Sequence, residues 1–556
     1  MTDAMEFLRA GAAALQRGDR VGAERRVIRA LALVPSHGEA WNILGVLAVS
    51  AGDPAGGEER FRRASACAPD NPNYSRSQAE CLKRQGRTDR AAALLAGAVR
   101  RGVLSADLAC DLGDLRLGMR DVAAAAALYR LALALAPGHA RSLNNLAEAL
   151  SKAERLDAAA DALARLAVLR GTAAAWGAAG AALLAAWRQD EARAALRRAV
   201  ALDPSTAEHW ANLGFAGLGR HAVALAEVAF DRALRLSPGM ETARAGRGAL
   251  RMLCGRLRDG AVDYEARLSL PAFLPSRSYS RPVWDGRIQP GKTLLIHADR
   301  GYGDAIQFIR YAPLLRAQGM RVVFHGPEGL LDLFRASELV DGLSGLDGPP
   351  LAHDVQIPIM SLIHRMGTDL DSVPATVPYL RAPDAAARRW ADRLANLRGV
   401  KAGLVWHGSV AFPYHRQRSP GLEAVLPLTG IPGVTTVLLQ VANGRADLER
   451  HTPLGPFLDL GTELRDFADT AAAIQALDIV ISPCTAVVHL AGALGKPVAV
   501  LLDQGAEWRW MCGRVDSPWY PTARLYRQAV FGDWTEPVER LRRDLAALNG
   551  PLQDRP

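Results

Sequence analysis

Ser482-Pro483-Cys484-Thr485-Ala486-Val487-Val488-His489-Leu490-Ala491-Gly492-Ala493-Leu494-Gly495-Lys496-Pro497 lies between two apolar runs, Leu477 to Ile481 and Val498 to Leu502. The pattern is strand, tight turn, helix, strand, the βαβ unit of a parallel sheet. Thr485 stands where the helix begins, so its hydroxyl can cap the first turn. Unpaired backbone N–H groups and the positive end of the helix dipole then face whatever lies above the sheet edge, and phosphate is the usual guest there. His489 follows four residues later on the same helical face. Gly492 and Gly495 let neighbouring backbone approach and end the helix. An isolated Thr-x-x-x-His also describes a buried helix with a satisfied histidine, so the rest of the chain must decide.

At 556 residues the chain is too long for one core and predicts three or four structural units. A hydrophobic content of 49% with 22% charged residues is ordinary for a globular protein. Only 5 of the 67 basic residues are lysine, and the net charge is +9. No basic cluster is interleaved with aromatics as a nucleic-acid groove requires, so no nucleic-acid partner is expected. The cysteines, Cys67, Cys81, Cys110, Cys254, Cys484 and Cys512, show no C-x-x-C or C-x-x-H spacing, which fits a reducing compartment and predicts no zinc site. No 18-residue apolar run and no signal segment are present, so neither membrane insertion nor export is expected and the predicted location is cytoplasmic.

The first half of the chain repeats. Prolines that end helical runs fall at Pro35, Pro69, Pro137, Pro204 and Pro238, and one period of 34 residues (33 once) explains them all. Trp41-x-x-Leu44-Gly45, Ala109-x-x-Leu112-Gly113, Trp176-x-x-Ala179-Gly180 and Trp210-x-x-Leu213-Gly214 open units, and Phe7-x-x-Ala10-Gly11 is a further copy. Phe61 with Ala64, Tyr129 with Ala132 and Phe230 with Ala233 recur further on. This is the tetratricopeptide pattern. Small residues let the two helices of a hairpin touch, the aromatic fills the gap to the next hairpin, and proline stops the second helix. Residues 72–105 and 140–172 are weaker copies, and 241–270 reads as a degenerate cap. Such an array presents a concave face that grips a peptide or protein. Trp41, Asn145, Trp210 and Asn212 are the candidate docking residues, and a structural spacer or dimerisation arm is the alternative reading.

Composition changes near Ser269. The segment to Pro290 is rich in turn formers and has no period. Thr293 to Ala298 then reads as a strand leading into Asp299-Arg300-Gly301-Tyr302-Gly303-Asp304 and a helix from Ala305 to Leu315. Gly303 and Asp304 would sit at the carboxyl edge of a parallel sheet, where open α/β sheets bind ligands, although Asp304 can equally be an N-cap. Strands at Val322 to His325 and Val355 to Pro358 continue this lobe. Asp369-Leu370-Asp371 has no strand leading into it and reads as a solvated loop, so no metal is predicted.

A second lobe follows. A helix over Ala386 to Leu397 precedes the strand Gly403-Leu404-Val405-Trp406, which ends at His407-Gly408-Ser409. The basic loop Tyr414-His415-Arg416-Gln417-Arg418-Ser419 follows, where Arg416 or Arg418 can clamp a diphosphate through paired N–H donors or simply remain exposed. Thr435 to Val441, carrying Gln440, reads as another strand. Trp508-Arg509-Trp510 and Asp516-Ser517-Pro518-Trp519-Tyr520-Pro521 read either as an aromatic rim for a sugar or base, with Trp508 as a stacking residue, or as packing between lobes. The predicted boundaries are 1–268 for the array, 269–292 for a linker, 293–385 for the first lobe and 386–549 for the second.

His297 to Phe308, Gly403 to Trp406, Asp466-Phe467-Ala468-Asp469-Thr470, Thr485 to Gly495 and Asp516 to Pro521 together resemble the family-9-like glycosyltransferases, to which the heptosyltransferases of lipopolysaccharide synthesis belong. Helical repeats followed by such a region are similar to bacterial tetratricopeptide glycosyltransferases, including those that modify flagellin. The resemblance implies an α-solenoid followed by an α/β GT-B fold with two Rossmann-like lobes. It implies Asp304 as the base, and Thr485 with His489 at the nucleotide diphosphate. Gly303, Ser409, Arg418, Gln440 and Trp508 complete the expected donor site. The family's aspartate before the threonine is Cys484 in this chain.

The expectation is therefore transfer of a sugar, without a metal, from a nucleotide-sugar co-substrate to a protein acceptor docked on the repeats, with flagellin Ser or Thr as one acceptor. Two alternatives stand beside it: a non-catalytic scaffold with a degenerate transferase region, and a transferase acting on lipopolysaccharide core. Flagellin-type relatives imply a CMP-linked nonulosonic acid as donor and heptosyltransferases imply ADP-heptose, and no residue decides between them.

Overall fold

The computed structural model describes residues 2–219, 222–273, 277–299, 301–410, 415–505 and 507–548. The chain divides into two compact units, Met1–Ser205 and Thr206–Pro556. Among the described residues, sixteen α-helices run from α1 (Thr2–Gln16) to α16 (Leu257–Tyr264), twelve in the first unit and four in the second.

The repeats form for local steric reasons. The residue before each periodic proline leaves the helix with φ between −138° and −143° at Val34, Ala68, Ala136, Asp203 and Ser237. A proline ring excludes the residue before it from the helical region, so the second helix of each hairpin stops there. Short polar side chains start many of the helices: Asp53 accepts from Gly56 N–H, Ser105 from Leu108 N–H and Asp121 from Ala124 N–H. Inside the hairpins the small-residue rule is quantitative. A Cβ on Gly45 would lie 2.6 Å from the Phe61 ring, one on Gly113 2.6 Å from Tyr129, and one on Gly214 2.6 Å from Phe230. The weaker copies fold as hairpins too, Pro72–Arg84 with Thr88–Arg100 and Ala140–Lys152 with Leu156–Arg170. So does the degenerate copy, α15 (Glu241–Leu253) with α16.

The rest of the second unit is built on two parallel sheets. The first contains β1 (Thr293–His297), β2 (Arg321–Gly326), β3 (Gly342–Gly345) and β4 (Val355–Pro358) in the order β3-β2-β1-β4. The second contains β5 (Val400–Leu404), β6 (Val434–Leu438), β7 (Phe457–Asp459), β8 (Ile479–Pro483), β9 (Val498–Leu502) and β10 (Ala523–Arg527) in the order β10-β9-β8-β5-β6-β7. Nearly continuous burial along β1, β2, β6, β8 and β9 explains why these strands read as unbroken apolar runs. The register pairs Ile296 with Phe324 and Gly403 with Val480.

The strand order reverses once in each sheet, between β1 and β4 and between β5 and β8. Such switch points open a crevice beyond the carboxyl ends of the strands. Beyond β1 lies α17 (Tyr302–Phe308), and beyond β8 lies α25 (Ala486–Ala493). The intervening helices relevant below are α21 (Asp384–Leu394), α22 (His415–Arg418) and α24 (Phe467–Gln475).

Several boundaries differ from the sequence expectation. The strand expected over Leu477 to Ile481 is shifted to Ile479–Pro483, because Asp478 turns back to accept the Lys401 N–H. The strand expected to reach Val441 ends at Leu438, and the helix expected from Ala386 begins at Asp384. Asp369 opens a single 3₁₀ turn and accepts from Leu370 N–H while Ser372 reaches back to it.

Candidate active site

Asp304 lies in the first turn of α17, whose helix begins after Gly301. Its Oδ1 accepts from Arg509 Nη2 at 2.6 Å. Arg509 comes from the other sheet's segment, in the 3₁₀ turn Trp508–Trp510 that follows β9. Its side chain is 6% exposed while that of Asp304 is 20% exposed. Arg509 Nη1 also donates to Glu507 at 2.6 Å, and its guanidinium packs 4.6 Å from the Trp508 ring. Burial pushes the Asp304 carboxyl above the usual carboxylate range, and Arg509 pulls it back. A carboxylate so placed is more basic than an exposed one yet held in a single orientation.

Thr485 caps α25, its Oγ1 accepting from Val487 N–H at 3.2 Å and lying 2.9 Å from Ser482 Oγ. Cys484 is 7% exposed and its Sγ accepts from Trp510 Nε1 at 3.1 Å. Burial pushes the thiol up to about 12, so this position carries no charge near neutral pH. The guanidinium of Arg418, in α22, lies beside Gly408: a Cβ there would be 3.2 Å from Arg418 Nη2. Its charge also reaches Cys484 and His489. The β5 loop, the α22 arginine and the α25 helix start therefore converge. Ser409 stands exposed on the rim of this edge.

Gly303 is where the two helices meet. A Cβ there would lie 2.9 Å from His489 Cδ2 and 3.6 Å from Ala486 Cα, so only glycine lets α17 close on α25. His489 itself is 4% exposed, with Nδ1 3.0 Å from Tyr520 Oη and its ring stacked on Trp510. Burial, reinforced by Arg509, Arg310 and Arg418, holds its pKa well below the ordinary value. This corrects one expectation. A neutral, packed imidazole tied to a tyrosine holds the two helices together and supplies no positive charge to a phosphate.

Two other donor-site expectations are corrected by burial. Gln440 is 3% exposed, and its amide is consumed by backbone: Oε1 accepts from Trp406 and His407 N–H, and Nε2 donates to Asn443 O at 2.6 Å. It staples the β5 and β6 loops. Trp508 is 6% exposed, sealed between Tyr264 at 6.1 Å, Phe308 at 6.2 Å and Trp519 at 6.4 Å, so its ring has no face for a sugar. Arg300 and Tyr414 lie outside the described residues, as does the side chain of Arg416.

The docking candidates are partly engaged among the helical hairpins. Trp41 Nε1 donates to Pro35 O at 2.9 Å and its ring carries Arg63 at 4.8 Å. Asn145 donates to Asp114 Oδ1 at 2.7 Å, bridging two hairpins. Trp210 packs half-buried against the core around Phe230, and Asn212 is half-buried. The first unit has a separate apolar hollow of about 450 Å³ lined by Pro137, Leu143, Ala164, Val168 and Leu169, where Val168 is 71% exposed. It lies within the hairpin of residues 140–170 and against the Pro137-Gly138 turn that leads into it.

Sequence reading missed four other residues. Arg310 is 4% exposed, donates to Trp519 O at 2.7 Å and to Tyr379 Oη at 2.8 Å, and stacks 4.7 Å from Tyr520, so it ties α17's segment to the one after β9. Asp299, just beyond β1, accepts from Met360 N–H at 3.3 Å and lies 3.8 Å from the buried Arg267. Burial pushes it up to about 6. Tyr264 ends α16 of the last helical hairpin, and Arg267, in the 3₁₀ turn that follows, packs 5.0 Å from its ring. The signal available in advance was the position of Asp299 one residue past a strand and of Arg310 in an otherwise apolar helix.

The tetratricopeptide repeat family matches residues 8–72, 45–106, 110–179 and 178–241. Protein FlbA of Caulobacter vibrioides is 26% identical over 79% of this chain and 79% of its own length. Because α16 ends at Tyr264 of 556 residues, that similarity extends into the α/β region. Among solved structures, pilF of Pseudomonas aeruginosa matches at 21% identity, covering 37% of this chain and 95% of its own, with a TM-score of 0.31. YrrB, described as a TPR protein with an unusual peptide-binding site, matches at 14% identity, covering 40% of this chain and 97% of its own, with a TM-score of 0.26. No helix among the described residues is long and apolar enough to cross a membrane. The N-terminal helical hairpins are tetratricopeptide repeats.

Proposed function

We propose that the chain is a GT-B-type glycosyltransferase that moves a sugar from a nucleotide donor to a hydroxyl of a protein held by its repeats. The observation that carries this reading is the convergence of a basic, oriented carboxylate and a capped helix start from two different parallel sheets. The acceptor Ser or Thr oxygen attacks the anomeric carbon as the bond from that carbon to the phosphate oxygen breaks. The hydroxyl proton passes to Asp304, while the N–H groups opening α25, with Thr485 and Arg418, stabilise the charge left on the nucleotide phosphate. Arg509 keeps Asp304 in place.

The repeats supply the protein-binding half. An apolar hollow beside an exposed valine suits a segment of polypeptide rather than a soluble sugar. Flagellin hydroxyls are the acceptor class favoured by the motif resemblance. The test is the intact mass of flagellin from cells carrying the wild type, Asp304→Ala or no copy. This reading expects a glycan-sized increment with the wild type alone; the same mass in all three would remove it.

One observation favours a second reading, a binding protein without chemistry. Cys484 is an uncharged thiol held by Trp510 where the resembling transferases carry an aspartate. On that reading titration with nucleotides and nucleotide sugars gives no heat and no glycan is transferred.

A further inference from the structure

Cys254 caps α15, the first helix of the last hairpin, and Cys512 follows the 3₁₀ turn that carries Arg509. The two are brought together by backbone, since Cys512 N–H donates to Leu253 O at 3.0 Å. That bond sets Cys512 against the residue that follows Leu253, which is Cys254. Both side chains are free and partly exposed, whereas Cys81, Cys110 and Cys484 are buried. Met511, between Arg509 and Cys512, has φ +47°.

We propose that Cys254 and Cys512 are a modification site, closing to a reversible disulfide that ties the last repeat hairpin to the Arg509 segment. The oxidant is a small disulfide such as oxidised glutathione. The Cys512 thiolate attacks one sulfur of that disulfide and releases one thiolate; the Cys254 thiolate then attacks Cys512 Sγ in the mixed disulfide and releases the second. Two protein thiols are oxidised, one disulfide is reduced to two thiols, and the two protons go to solvent or to the released thiolates. The order follows from surroundings. Burial and the neighbouring Cys512 push Cys254 up to about 11, which makes Cys254 the poorer first nucleophile. Bonding draws the sulfurs to about 2.05 Å, which moves the segment that orients Arg509 against Asp304.

The test uses the full chain equilibrated with oxidised glutathione, then alkylated and digested without reduction. The expected result is a cross-linked peptide joining Cys254 to Cys512, at least tenfold more abundant than any pair among Cys67, Cys81, Cys110 and Cys484. Dithiothreitol should abolish it, and Cys254→Ser should convert it to glutathione carried on Cys512 alone. Recovery of Cys254 and Cys512 as alkylated thiols, as separate glutathione adducts in the wild type, or in disulfides to other cysteines would overturn the proposal.

Discussion

Arg509 Nη2 and Asp304 Oδ1 are joined at 2.6 Å although 205 residues separate them in the chain. The bond ties a helix start of the first sheet to the loop after β9 of the second. Replacing Asp304 with Asn leaves a guanidinium that is 6% exposed with Glu507 as its remaining carboxylate. We expect a loss of about 3 kcal/mol, the usual scale for breaking a buried pair. The Asp304→Asn, Arg509→Met double variant should be less destabilised than the two single losses added together. Urea unfolding followed by the fluorescence of Trp508, Trp510 and Trp519 measures both, and strict additivity would contradict the coupling.

His489 should remain neutral in the folded protein across the range where a free histidine titrates. Its folded pKa is depressed, so the unfolded chain takes up a proton near pH 6.5 that the folded one refuses. Its contribution to stability is therefore present above pH 6.5 and lost as pH falls below it. Nitrogen-15 imidazole shifts should show no titration between pH 5.5 and 8, and His489→Gln should lose this part of the acid dependence of the unfolding midpoint.

Gly113 of the first unit faces the Tyr129 ring, which is fully buried. A methyl at 2.6 Å forces the ring or the helix aside, and overpacking of this kind costs about 1–3 kcal/mol. Gly113→Ala should lower the helical melting midpoint seen by circular dichroism, whereas Gly118→Ala, where a Cβ meets nothing within 4 Å, should not.

Arg418 lies beside Gly408 and within charge reach of the α25 start. A hydrogen bond to a charged phosphate is worth about 1.5–3 kcal/mol. Arg418→Ala should weaken nucleoside-diphosphate binding by about tenfold or more in calorimetry. Asn443→Ala, in a loop held through its backbone carbonyl by Gln440, should not.

Much of the architecture was legible because it follows from short-range rules. A proline imposes an extended conformation on its predecessor wherever it occurs, so Pro35 to Pro238 could be read as helix stops without knowing any contact. Thr485 was legible for the same reason, since capping involves only the next few residues. The site's partnerships were not. Trp508 looked like a stacking platform because nothing near it in sequence announces Tyr264, the ring that covers one of its sides. Gln440 looked like a ligand because its five backbone contacts depend on two strands lying side by side. Arg509 was read as part of a rim because its carboxylate partner belongs to the other sheet.

The account rests on a nucleotide sugar binding where the Asp304 and Thr485 helices meet. The most direct measurement is calorimetric titration of the full chain with a panel of donors that includes CMP-linked nonulosonic acids and ADP-heptose, repeated with Thr485→Val and Arg418→Ala. The prediction is saturable heat with at least one donor, weakened about tenfold in either variant. Absence of heat with every donor, or binding that both variants leave unchanged, would contradict it.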